Sequence, residues 1–241
     1  MKLSYSLLTA AALMVGLSNS AVAADLISIP NVTVTGNVGM TSNYKFRGED
    51  QTSANPATQG GLTFTHKGGA YLSLWGSGVT FGGGTEIDAL LGYSTAAAGG
   101  TLDVGVMRYI YADSDNRNGC TKCDFNELYA SLTYGSALTK GDSFKVSTAY
   151  SPEYFNEQGK FYRLGLDYSL PVSSAFNLIA SVGYNELSGQ DLNHTDYKVG
   201  GNFAINGVTA ELAYVGGDGS YADATGQVVD GKPVFTVSKS F

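Results

Sequence analysis

Cys120 and Cys123, in the run Cys-Thr-Lys-Cys, are the only two cysteines of the chain. Two thiols at that spacing have three possible uses. A redox dithiol needs a helix amino terminus on a thioredoxin-like scaffold to lower a thiol pKa. Half a zinc site needs a second ligand pair. A short structural disulfide needs only an oxidising compartment. No helical period flanks the motif and no second pair exists, so a loop disulfide is expected. The two histidines, His66 and His194, fall at opposite ends of the strand pattern described below and cannot pair. His194 beside Asp196 is the seed of an Asp-His hydrolase site, but no nucleophile constellation surrounds it, and a solvated loop histidine is the simpler reading. Gly82-Gly83-Gly84, at the end of the Gly76 to Gly84 stretch, lacks the Lys-Ser/Thr of a P-loop and is not followed by a helix pattern. Asp113-Ser114-Asp115-Asn116 and Asp218-Gly219 lack EF-hand spacing. The expectation is a protein without catalytic residues, metal or cofactor.

The remaining chemistry lies in charges that recur on one parity of alternating segments. Glu86, Asp88, Asp103 and Glu127 fall on three consecutive segments, and Lys145, Arg163 and Lys198 on later ones, with Asp167 and Glu211 on the same parity. If that parity faces a pore, one wall is acidic and the other mostly basic. Charged walls set ion selectivity. Six carboxylates against three bases predict a weak cation preference. If the lumen is narrow, the same residues pair across it and plug it.

What positions them is a set of strands. Of 241 residues, 32 are Gly, 16 Tyr and 11 Phe, against one Trp and four Met, a bias towards strands and against a helical bundle. Fourteen Lys and Arg against 21 Asp and Glu give a net charge of −7, the wrong sign for gripping phosphate backbones, so nucleic-acid binding is ruled down. Residues 1–23 carry Lys2, an apolar run from Leu7 to Leu17 and Ala21-Val22-Ala23. This is the pattern of a cleaved signal peptide, with 24–241 as the mature domain, and the run is too short to span a bilayer.

Beyond residue 30, twelve segments alternate with period two. The first sets Val32, Val34, Val38 and Met40 against Thr33, Thr35, Asn37 and Thr41, and the last sets Phe235, Val237 and Phe241 against Thr236 and Ser238. Connections after odd-numbered segments are long (Asn43 to Thr58, Ala112 to Cys123, Glu186 to Thr195, Gly216 to Gly231). Those after even-numbered ones are mostly short and include Asn206-Gly207, the preferred type I′ turn. That asymmetry predicts an all-β, transmembrane, antiparallel up-and-down barrel of about twelve strands with both termini at the short-turn end. A soluble β-sandwich would use the same apolar face as its core. The many Tyr and Phe ending the apolar face (Tyr93, Tyr134, Tyr150, Tyr168, Tyr184, Tyr197, Tyr214) favour an aromatic girdle at a lipid interface instead. Val234 to Phe241, an alternating strand ending on an aromatic, resembles the signal read by the barrel-assembly machinery of outer membranes. Lys239 departs from the aromatic often found there and can snorkel. Arg108 falls on the lipid parity and requires a bulge or a rim position.

Ser42-Asn43-Tyr44-Lys45-Phe46-Arg47-Gly48, Gln51, Gln59-Gly60-Gly61-Leu62, Trp75-Gly76-Ser77, Glu86-Ile87-Asp88 and Gly92-Tyr93 together resemble the TorF family of porins, a proteobacterial group of otherwise unknown function. The resemblance covers most of the mature chain and implies a porin-like outer-membrane barrel, with no established substrate or site residues. The combined expectation is a passive channel for small hydrophilic solutes in the Gram-negative outer membrane. A plugged barrel serving as scaffold or adhesin, and a hydrolase using His194, are the alternatives.

Overall fold

The computed structural model describes residues 29–112, 122–188, 192–218 and 230–241. Their strands are β1 (Val32–Thr41), β2 (Lys45–Phe46), β3 (Glu49–Asp50), β4 (Ala57–His66), β5 (Ala70–Gly78), β6 (Thr85–Ala97), β7 (Gly100–Tyr111), β8 (Phe125–Gly135), β9 (Ser143–Ser151), β10 (Lys160–Pro171), β11 (Phe176–Ser188), β12 (Leu192–Ile205), β13 (Val208–Asp218) and β14 (Lys232–Ser240). All but β2 and β3 join sequential neighbours antiparallel into one closed barrel, and the ring closes where β1 meets β14, with Asn37 opposite Ser240 and Thr41 opposite Thr236. The twelve alternating segments are these twelve strands. Each has 9 to 14 residues, enough for a tilted strand to cross a bilayer, which takes ~9–11.

Period two places one parity outside. Phe64, Leu72, Leu91, Val106, Leu128, Tyr150 and Tyr162 face one another in succession from β4 to β10. Most of them are exposed, as are Val199, Phe203, Leu212 and Phe235. The buried set is the reverse of a soluble core: Glu86, Asp88, Asp103, Glu127, Asn185 and Asp196 lie inside. An apolar exterior around a polar interior defines a transmembrane barrel. Its bare backbone edges are removed by closure.

Short turns close one end, two of them of only two residues. Asn206 (φ 50°) and Gly207 (φ 74°) are both left-handed, as the type I′ turn demands, and Ala98 and Gly99 repeat the pattern. At this end Lys239 reaches the carbonyl of Asn206. Phe241 exchanges backbone hydrogen bonds of 2.8 and 3.0 Å with Gly36, where any Cβ would stand 2.6 Å from its ring. The opposite end carries the longer connections, with one revision: β11 runs to Ser188 and β12 starts at Leu192, so most of the expected Glu186 to Thr195 loop is strand. Its Asn-His-Thr-Asp run reads as a loop because its inward parity is polar. Asp113 to Asn116 and Gly219 lie outside the described residues.

Candidate functional site: the inward loop and the lumen

The connection from β1 to β4 folds into the barrel as a hairpin. β2 and β3 pair Lys45 with Asp50 and Phe46 with Glu49, and the tip residues Arg47 (φ 51°) and Gly48 (φ 82°) are both left-handed. Local bonds hold its base. Asn43 Nδ2 donates to Asp50 Oδ2 (3.1 Å), Tyr44 N donates to Thr52 Oγ1 (3.1 Å) and Thr52 Oγ1 donates to Asn43 Oδ1 (2.9 Å). The tip has no room for a side chain at Gly48, where a Cβ would sit 2.7 Å from the Gly216 carbonyl on β13.

The tip is held from both walls. Arg47 Nη2 donates to both oxygens of Glu127 on β8, at 2.8 and 2.7 Å, and the two side chains are 7% and 4% exposed. The guanidinium also lies over the rings of Phe46 (4.5 Å) and Phe161 (4.7 Å). On the other side, His194 Nε2 is 3.0 Å from the Arg47 carbonyl, and Asn185 links that histidine to Asp196, which takes Arg163 through both guanidinium nitrogens. A chain of polar contacts therefore crosses the lumen from β8 through the hairpin to β10, β11 and β12. Glu49, in the loop, is buried, 3.7 Å from His194 Nε2. Burial, the dominant effect, pushes its carboxyl up to about 8 against the pull of Arg47 and Lys45, and Asp196 adds to the rise.

Behind the hairpin the lumen is packed. Tyr44, Tyr109, Tyr111, Phe125, Tyr154 and Phe161 form one buried cluster, with Tyr109 stacked on Phe125 (4.2 Å) and Tyr154 on Phe161 (4.3 Å). The expected acidic wall lies beneath it. Glu86, Asp88, Asp103 and Glu127 are on the inward parity but 1–3% exposed, so they do not face open water as the count of lumen charges assumed. Asp103 accepts from Tyr71 (2.7 Å) and Tyr129 (3.0 Å). Gly92 makes that arrangement possible, since a Cβ there would meet the Tyr71 ring and hydroxyl at 2.4 and 2.6 Å.

A cavity of about 180 Å³ remains between the hairpin and the wall from β6 to β13. Lys145, Arg163, Asp167 and Lys198 reach it, and they are paired: Lys145 with Asp167 (3.1 Å), Lys198 with Glu211 (3.3 Å), Arg163 with Asp196. Arg163 needs Gly183 beneath it, because a Cβ there would touch its guanidinium.

His194 is not a solvated loop residue. It is a 2%-exposed inward residue of β12, which ends the reading of it as a loop histidine. Arg108 occupies the rim: it pairs with Asp124 at 3.0 Å, 42% exposed, in unbroken register with β8. His66 is exposed at the end of β4 and accepts from Gly68 N. Cys123 is fully buried and no described cysteine is free. Cys120 lies outside the described residues.

Sequence reasoning missed Tyr44, Arg47 and Glu49 as lumen residues. The available signal was Tyr44 and Phe46 alternating with Lys45 and Arg47 inside a supposed solvent loop.

The class this architecture defines is the twelve-stranded transmembrane barrel with a lumen narrowed by an inward loop. The chain belongs to the family described as bacterial proteins of unknown function (Gcw_chp), whose model matches residues 28–241. No curated protein matches it in sequence. Among solved structures it is similar to the NanC porin (TM-score 0.56, 13% identity, covering 87% of this chain and 99% of that one). It is similar also to the KdgM porin in complex with disordered oligogalacturonate (TM-score 0.54, 10% identity, 86% and 97% covered). At such identities the likeness is one of fold.

Proposed function

We propose that this protein is an outer-membrane porin: a passive, narrow diffusion channel for small hydrophilic solutes, with no covalent chemistry and no cofactor. The observation that carries the reading is a cavity of about 180 Å³ that Lys145, Arg163, Asp167 and Lys198 reach, inside a barrel whose outer face is apolar. The resemblance to TorF porins and the fold shared with NanC and KdgM agree with it. The signal peptide 1–23 directs export, Phe241 engages the barrel-assembly machinery and the apolar belt contacts outer-membrane lipid. The long connections face outward, and Cys120 pairs with Cys123 in one of them.

The nine charges expected to line the pore divide into two groups. Glu86, Asp88 and Asp103 are buried away from the cavity and Glu211 does not line it. Lys45, Arg47, Lys145, Arg163 and Lys198 reach it, against Glu127, Asp167 and Asp196. Counted with Glu211, which holds Lys198 at 3.3 Å, bases and carboxylates at the cavity nearly balance, five to four, and the channel favours anions only weakly. Liposomes carrying the refolded protein should swell in uncharged sugars at rates that fall steeply with solute size. The packed half of the lumen favours a second reading, a closed scaffold barrel, and absence of swelling with any sugar would establish that one instead.

A further inference from the structure

Glu86 and Asp88 are two residues apart on β6 and both point inward, 1% and 3% exposed. Glu86 Oε1 receives a long bond from the Tyr111 hydroxyl (3.4 Å), while Glu86 Oε2 and both oxygens of Asp88 have no hydrogen-bond partner. A third group joins them. The Tyr44 hydroxyl, on the inward loop, is 97% shielded and lies against Glu86 without a well-aligned hydrogen bond, and Glu86 and Asp88 are the charges that bear most strongly on it. Trp75 closes the site, opposite Asp88 across β5 and β6 and 5.5 Å from the Tyr44 ring. Arg47, the cation that bears on Asp88, gives Nη2 to both oxygens of Glu127. Buried oxygens without well-made partners are costly, and a positive ion between the two carboxylates would offset that cost.

We propose that Glu86, Asp88 and the Tyr44 hydroxyl form a binding site for a hard, calcium-type divalent cation that ties the inward loop to β6. The donors are all oxygen, the set preferred by calcium and magnesium over softer metals. Two carboxylates match a double positive charge. An ion–oxygen distance of ~2.3–2.6 Å is shorter than a water contact, so atoms closed to water remain open to a dehydrated ion. Among the described residues no group of three or more His, Cys, Asp or Glu is gathered for a metal, so the site rests on two carboxylates and one phenol oxygen. The consequence is mechanical: Tyr44 is three residues from Arg47, so the ion and the Arg47–Glu127 pair hold the hairpin at two points.

The test uses the refolded full chain in detergent, stripped of divalent ions, with terbium as the probe and excitation of the adjacent Trp75. A saturable luminescence is expected, displaced by calcium and strengthening with pH, because ion and proton compete for the carboxylates. Asp88→Asn and Glu86→Gln should each weaken binding at least tenfold, Tyr44→Phe should weaken it less, and Glu153→Gln, at the rim, should leave it unchanged. As a second reading, calcium should raise the temperature at which the wild-type barrel loses its fast-migrating form on a gel, but not that of the Glu86→Gln/Asp88→Asn double variant. No saturable signal, or a signal and thermal shift unaltered by the double variant, would overturn the site. Neither result bears on whether the cavity conducts, which the swelling assay decides separately.

Discussion

Removing Arg47 should open the channel. Arg47 and Glu127 form a bidentate pair at 2.8 and 2.7 Å, almost wholly out of water. Taking one partner from a buried pair costs about 3–5 kcal/mol, because the other charge stays buried and alone. In Arg47→Ala that penalty falls on the docked state alone, since an undocked hairpin lets water reach Glu127. At about 1.4 kcal/mol per tenfold, the lower figure shifts the docked-to-released ratio by roughly two orders of magnitude. The lost contacts over Phe46 and Phe161 add to it. Single-channel recording should show Arg47→Ala with a larger conductance and new flickering between levels. Glu127→Gln should act in the same direction, and the double variant should fall well short of the sum of the two. An unchanged conductance in a correctly assembled Arg47→Ala sample would refute the assignment of this loop as the constriction.

Docking of the loop should also depend on pH through Glu49. Its docked pKa of about 8 lies above the ordinary carboxyl value, so its contribution is full below about 4.5 and is lost as pH rises through about 8. Conductance should increase across that window, and Glu49→Gln should flatten the rise. Gly92→Ala forces the Tyr71 ring off Asp103; a loss of about 1–3 kcal/mol should appear as a lower temperature for conversion from the folded to the unfolded gel form. Replacing both Cys120 and Cys123 by Ser should leave assembly and conductance nearly intact, because a bridge over so short a loop restricts little chain entropy. Failure to assemble would show that the bridge is structural for the barrel.

The barrel was legible because its rule is local. Alternation in a stretch such as Glu86 to Tyr93 declares both the strand and its two faces, and Asn206-Gly207 declares its turn without reference to the rest of the chain. The lumen was not legible for the opposite reason. Whether Glu86 meets water or Tyr111 depends on where a loop forty residues earlier is folded, and that is decided by Arg47 finding Glu127, eighty positions away. His194 was misplaced because inward-facing strand residues in this fold are polar, so Asn193 to Asp196 reads like solvent-exposed loop. The charge count failed on the same point: parity gives a side chain's face and says nothing about what packs over it.

The most direct test of the channel reading is the current carried by wild-type protein across a planar bilayer under a potassium chloride gradient. The sample should first be shown to be folded by its faster migration when unboiled. The expected result is discrete steps of small conductance, a reversal potential displaced modestly towards chloride, and a displacement that shrinks as salt screens the wall over about 8 Å and less. A folded sample that never conducts would contradict the channel and leave the closed scaffold. Steps that reverse on the potassium side would contradict the charge assignment along β8 to β13.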